Sequence, residues 1–201
     1  MSSTPTPSKT DSTALKVTIV LGAAAAVITV VRAVLRIVEI APNRNVPVAA
    51  HFEIPATMPI GPGGSDVEVI ADRVILSVSD MPPITLWSLI LAEVFYAAAV
   101  VVVVVCLCLV IRNIIGGRAF SAGTVGLVGV ATITVGIGWV LVWGFTTMGA
   151  NGGASALADE PGLNVNAQID FTFLFAVAAM GALTSAFQIG HKLQLETEGL
   201  V

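Results

Sequence analysis

Apolar positions gather into four long runs, and the stretches between them change character. The most uniform run, Leu86 to Ile111, carries one charge, Glu93, and contains an unbroken valine tract from Val100 to Val105. β-branched residues are mediocre helix formers in water. In hydrocarbon an open strand would leave its N–H and C=O groups without partners, so the run reads as a helix. At about 1.5 Å per residue it reaches roughly 39 Å, enough to cross a core of about 30 Å with some tilt. Thr124 to Thr147 and Ile169 to Ile189 read the same way. The first run is weaker, because its unbroken apolar part, Val17 to Val31, falls short of the roughly 17 residues a span needs. Lys9, Lys16 and the small residues Ala23 to Ala26 also fit a signal peptide. The helical pattern nevertheless continues through Arg32 and Arg36 to Ile40, and a cleavage site would not be succeeded by such a pattern. The span is complete once Arg32 is accommodated inside the membrane or at its edge.

Between the first two runs the period changes. Val48, Ala50, Phe52 and Ile54 alternate with polar or small residues. Asp66 to Val78 is a second β-like run whose apolar phase slips near Ala71 to Arg73, as a bulge would cause. With the turn Gly61-Pro62-Gly63-Gly64 between them, they predict a β-hairpin lying on the helices. The fold class is therefore all-α integral membrane, with four transmembrane helices and a small extracytoplasmic β-like segment between helices 1 and 2. Residues 1–13 read as a disordered tail, 14–40 as the first span, 41–83 as the hairpin segment and 84–111 as the second span. A short loop (112–123), a third span (124–147), a Gly- and Asn-rich loop (148–168), a fourth span (169–190) and a polar tail (191–201) complete the chain.

Composition sharpens the class. With 56% hydrophobic and 11% charged residues among 201, and a mean hydropathy of +0.94, the chain is far more apolar than a soluble domain. The lipid bilayer is its first partner. A net charge of −4 and the lack of a basic stripe exclude a general nucleic-acid binder. The loop 112–123 carries Arg112 and Arg118 and no acid, whereas the loop after the third span carries Asp159 and Glu160 and no base. The positive-inside rule then places the basic loop and both termini in the cytoplasm of a cell-membrane protein. The bias is small, since Arg32, Arg36, Arg44 and Arg73 sit at or beyond the opposite side.

Few residues can carry chemistry. A carboxylate within a span costs roughly 2.5–3.5 kcal/mol, which makes Glu93 a functional candidate. If the first two spans form an antiparallel pair, Arg32 and Glu93 lie at matching depth and predict an intramembrane ion pair. Cys106 and Cys108 point to opposite sides of a helix and cannot clamp one metal. His51 and His191 fall on opposite sides of the membrane. No catalytic triad, HExxH or phosphate-binding glycine loop is found, so no enzyme, cofactor or metal site is expected. Gly116-Gly117 reads as the C-cap of the second span and Ser121 as the N-cap of the third. Small residues recur on helical stripes: Gly136 and Gly144 with Thr132 in the third span, and Ala178, Ala182 and Ala186 in the fourth. Such faces allow close helix packing, within the bundle or in a homo-oligomer or a complex with another membrane protein.

Gly117-Arg-Ala-Phe120-Ser121, together with the ending Phe187-x-x-Gly190-x-x-Leu193-x-x-Glu196-x-Glu198-Gly199-Leu200-Val201, resembles the YoaS-like proteins. These are small bacterial four-helix membrane proteins with a domain of unknown function. The resemblance covers the C-terminal half, from Arg112 onward. It departs after Phe120-Ser121, where the family's polar residues are here Ala122, Gly123 and Thr124. It implies a multi-pass membrane protein and no catalytic residues. The residues favour a non-enzymatic accessory or regulatory protein acting through protein contacts. The alternative is a small transporter or channel subunit with Glu93 in its pathway, although intact spans and a single intramembrane acid speak against it.

Overall fold

The computed structural model describes residues 9–157 and 172–198. Helices α1 (Lys9–Ile40), α2 (Pro83–Ile115), α3 (Ala122–Leu157) and α4 (Thr172–Glu198) are all long and apolar enough to cross a membrane. Strands β1 (Val46–Met58) and β2 (Val67–Val78) form a two-stranded antiparallel sheet between α1 and α2 in the chain. The molecule is a multi-pass membrane protein with a small hairpin after its first span, as its hydrophobic pattern predicts.

Two compact units make up the chain. The first contains Met1–Val34, Val94–Leu141 and Asp170–Val201, and the second contains Leu35–Glu93 and Val142–Ile169. The length of α3 explains the division. Its part in the first unit, Ala122 to Leu141, is roughly 30 Å long at about 1.5 Å per residue, which already matches the hydrocarbon core. The remainder of α3, Val142 to Leu157, belongs to the second unit together with the hairpin.

A two-stranded hairpin is marginal by itself. Here the ends of three helices complete its core. Ile40 of α1, Val46, Val48 and Ala50 of β1, Val78 of β2, Met81 of the following link, and Ala150 and Ala154 of α3 form one buried cluster. Leu76 of β2 and Leu86, Leu89 and Ile90 of α2 pack against it. Burial of Val46, Val48 and Ala50 at every second position is the alternation expected of one packed strand face. The register shifts between His51 and Ile54, opposite Arg73 and Ala71. The expected bulge therefore exists, but the extra residue lies in β1 rather than β2. The side chains of Phe52 and Ile54 lie outside the described residues.

Three element ends differ most from expectation. α3 does not stop at Thr147 but continues to Leu157, so Asn151 to Leu157, read as loop, is helix. The cause is packing. A Cβ on Gly149 would run into the Leu89 side chain, one on Gly152 into Thr85, and one on Gly153 would lie 3.2 Å from Val48. These glycines bring α3 close to α2 and β1 instead of breaking the helix. α4 likewise extends through the stretch read as a polar tail to Glu198. α1 begins at Lys9, inside the stretch read as a disordered tail. The rest of that tail, residues 1–8, lies outside the described residues, as do residues 158–171 and 199–201.

Gly152 and Gly144 make a matched test on one helix. Thr85 is buried, and its Cγ2 and Cβ would lie 2.7 and 2.9 Å from an added methyl at Gly152. A short β-branched side chain cannot swing clear, so Gly152→Ala should destabilise the protein by about 1–3 kcal/mol. At Gly144 an added Cβ meets nothing within 4 Å. Gly144→Ala should be neutral or stabilising by up to about 1 kcal/mol, because alanine is the better helix former. Thermal unfolding in detergent measures both.

Candidate functional site

Polar side chains concentrate where the hairpin joins the helices. Asn43 follows α1 with φ 54°, and Asn45 and Asp80 also have positive φ, 49° and 54°. Asn and Asp tolerate this left-handed conformation better than other side chains bearing a Cβ. The Asn43 amide nitrogen donates to the Met81 carbonyl at 2.9 Å, and its oxygen accepts from the Met81 N–H at 3.0 Å. The Asp80 N–H donates to the Asn43 carbonyl at 3.0 Å, and the Asn45 N–H to the Ser79 hydroxyl at 2.8 Å. One asparagine thus clamps the chain entering the hairpin to the chain leaving it.

Arg36 adds a second tie. Its guanidinium pairs with Glu39 at 2.6 Å and donates to the Pro47 carbonyl. In an antiparallel strand, the N–H and C=O of one residue point to the same side. A Pro47 carbonyl held by Arg36 therefore sets residue 47 with its backbone turned away from β2, where proline's missing N–H costs nothing. Proline and arginine together cover this edge of β1, a way of blunting a strand against unwanted pairing.

The tip of the hairpin is different. A tight turn closes it, with Gly61 N–H donating to the Ser65 carbonyl and Gly64 N–H to the Gly61 carbonyl, each at 2.9 Å. Met58, Ile60 and Val67 beside that turn are 45%, 66% and 39% exposed.

At the other end of the helices, the α2–α3 connection is also tied down. Gly117 has φ 71°, its N–H donates to the Ile114 carbonyl, and the Arg118 N–H donates to the Asn113 carbonyl at 2.8 Å. This is a Schellman C-cap, as the Gly116-Gly117 pair predicts. The Ser121 hydroxyl accepts from the Thr124 N–H at 3.3 Å and so N-caps α3. Thr124 is fully buried, yet its hydroxyl donates to the Arg118 carbonyl and accepts from the Asn113 amide, each at 3.0 Å. Phe120 reaches α4, with its ring 5.7 Å from that of Phe187 and its Cδ1 2.5 Å from where a Cβ on Gly190 would stand.

The candidate residues read from sequence are spread over both units. Arg32 is exposed on α1, and its guanidinium lies 6.0 Å from the centre of the Tyr96 ring. Glu93 is partly buried on α2 and belongs to the other compact unit. Among the described residues, the ion pair formed is Arg36–Glu39. A Cβ at Gly136 or Gly144 would meet nothing within 4 Å, and Ala178, Ala182 and Ala186 are exposed. Within its unit α4 makes contacts through Thr184, which hydrogen-bonds Thr132 at 2.9 Å, through Phe173, stacked on Trp139 at 4.2 Å, and through Phe187 and Gly190 against Phe120. Gly138 makes the close approach to α2, where its Cβ would stand 2.8 Å from Ala99. Sequence reading did not single out Asn43 or Tyr96. The signals were an asparagine pair directly after a helix end, and the chain's one tyrosine a single helical turn beyond Glu93.

A family model described as protein of unknown function (DUF2975) matches residues 40–201. The chain belongs to the DUF2975 family. Comparison with curated proteins and with solved structures gives no match. The DUF2975 match begins at Ile40 and so takes in the hairpin and α2 as well as the C-terminal half that carries the YoaS-like resemblance. Asn43, Pro47, Phe120 and Gly190 lie inside it, whereas Arg32 and Arg36 precede it. The two stretches that carry the resemblance meet, since Phe120 sits on Phe187 and Gly190.

Two measurements probe these sites. Asn43→Ala removes two hydrogen bonds and puts alanine at positive φ, and should cost roughly 2–3 kcal/mol in thermal unfolding. Asn43→Gly should cost less, because glycine relieves the backbone term alone. For Arg32 and Glu93, a double-mutant cycle of Arg32→Gln and Glu93→Gln should give losses that add within about 0.5 kcal/mol. Recovery in the double variant would instead establish the ion pair expected from sequence.

Proposed function

We propose that this DUF2975 protein is a non-enzymatic accessory or regulatory membrane protein that acts through protein contacts made by its hairpin. One observation carries the reading. The base of the hairpin is held by a buried core, by the Asn43 clamp and by Arg36, while the turn at its tip presents Met58, Ile60 and Val67 to solvent. Ordering a turn costs conformational entropy. A held base with an apolar tip is the arrangement expected of a surface built to meet another protein. In this reading both termini and the loop bearing Arg112 and Arg118 face the cytoplasm of a cell-membrane protein, and the hairpin faces the opposite side.

A photo-crosslinking residue placed at Ile60 should give one discrete protein adduct in native membranes, and the same residue at exposed Leu195 on α4 should not. No adduct from Ile60 or Met58 would sink the contact reading. Ion flux in proteoliposomes that Glu93→Gln abolishes would point to a transporter instead. Orientation is checked by cysteine labelling in a background lacking Cys106 and Cys108. A cysteine replacing Gly63 should react without permeabilisation, and one replacing Arg118 only after it.

A further inference from the structure

Arg32 is an exposed cation among exposed apolar residues of α1. Ile28, Val31 and Leu35 around it are 67%, 52% and 65% exposed. A guanidinium left in hydrocarbon is unfavourable and is drawn to polar partners. Among the described residues its one partner is the face of Tyr96, at 6.0 Å from the ring centre, the outer limit of a cation–π contact. That ring covers one side of the guanidinium and satisfies none of its N–H donors.

Depth identifies what can reach those donors. Lys16 on α1 and Arg112 on α2, both exposed, mark the level of one membrane surface. From Lys16 to Arg32, and likewise from Tyr96 to Arg112, is roughly 24 Å along the helix at about 1.5 Å per residue. In a core of about 30 Å, Arg32 and Tyr96 therefore lie just inside the opposite boundary. A long arginine side chain closes the gap by extending toward the headgroups. The group waiting at that level is a phosphodiester, and the planar fork of arginine fits two phosphate oxygens.

We propose that Arg32, braced on Tyr96, binds the phosphate of a membrane phospholipid in the leaflet on the hairpin side. The site is independent of any partner of the hairpin tip. Tyr96 acts through its ring, keeping the guanidinium at the helix surface with its donors outward.

The test is rotational-echo double-resonance NMR between the arginine Cζ carbon and phosphorus, on the full chain in phosphatidylcholine–phosphatidylglycerol bilayers. In phosphate-free buffer all phosphorus belongs to lipid. Comparison with Arg32→Gln assigns the Arg32 signal, which should report phosphorus within about 5 Å, as expected for an arginine–phosphate pair. Arg32→Lys keeps the charge in case Arg32→Gln does not fold, and should remove the Cζ signal while leaving the protein inserted. Tyr96→Phe should preserve the contact, and Tyr96→Leu should weaken the dephasing about twofold or more. Absence of phosphorus near Arg32, or proximity of its Cζ to the Glu93 carboxylate in its place, would overturn the proposal. An undiminished contact in Tyr96→Leu would overturn the bracing role. Equal contact with inorganic phosphate in maltoside micelles would overturn the assignment to lipid.

Discussion

Gly152 against Thr85 is the contact on which the second compact unit depends. No side chain separates the α3 backbone from Thr85 at that point. Gly149, one turn earlier, and Gly153, the next residue, repeat the close approach to Leu89 and Val48. This lets Ala150 and Ala154 enter the same buried cluster as the hairpin valines. Were α3 to end where its hydrophobic run ends, the hairpin would lose the surface it packs on. The hairpin exists as an ordered element because a membrane helix continues beyond the length the bilayer requires.

That dependence explains which parts of the fold were legible in the sequence. Spans are governed by a single local rule, the satisfaction of backbone groups in hydrocarbon, and residues 86–111 announce it with one charge in the whole run. Strand alternation at Val48 and Ala50 and the Gly116-Gly117 cap are equally local, and both are found. The stretch from Asn151 to Leu157 was not legible, because glycine and asparagine signal a loop unless a neighbour needs the space, and the neighbours here are far away in sequence. The small-residue stripes leave the packing face open for the converse reason. A repeat of alanines at 178, 182 and 186 has the right spacing for close packing, but spacing does not say which face turns inward. Thr184 and Phe173 decide that through Thr132 and Trp139, contacts that no periodicity on α4 alone reveals. For the candidate site, Arg32 and Glu93 were visible because charges stand out in apolar runs. Tyr96 was not, since an aromatic ring in a span is ordinarily packing.

The two ends of the helices solve the same problem with the same residue type. A chain that turns back outside the bilayer must satisfy the orphan groups of its helix termini or leave them to water. At the hairpin end, Asn43 offers both its donor and its acceptor to the Met81 backbone. At the loop end, the Asn113 side-chain amide donates to the Thr124 hydroxyl, while its backbone carbonyl accepts from the Arg118 N–H. In each case a side chain next to a helix end joins the two limbs of a connection. Aspartate could not replace either asparagine without losing the donor, and leucine would lose both side-chain functions of Asn43 and the amide donor of Asn113.

With both connections tied and the hairpin tip closed by its own hydrogen bonds, the described chain has little freedom left at its turns. Phe120 extends this at the loop end, because its ring sits where a side chain on residue 190 would otherwise stand. The fixed points, Asn43, Gly152, Asn113 and Phe120, all lie within the residues that define the DUF2975 match, while Arg32 lies before it. Apart from the Arg36 tie to Pro47, these contacts fall after Ile40, and Arg32 falls before it. A substitution at Arg32 leaves the Asn43 clamp, the glycine contacts and the hairpin they support in place, whereas one at Arg36 or Ile40 in the same helix touches the hairpin directly.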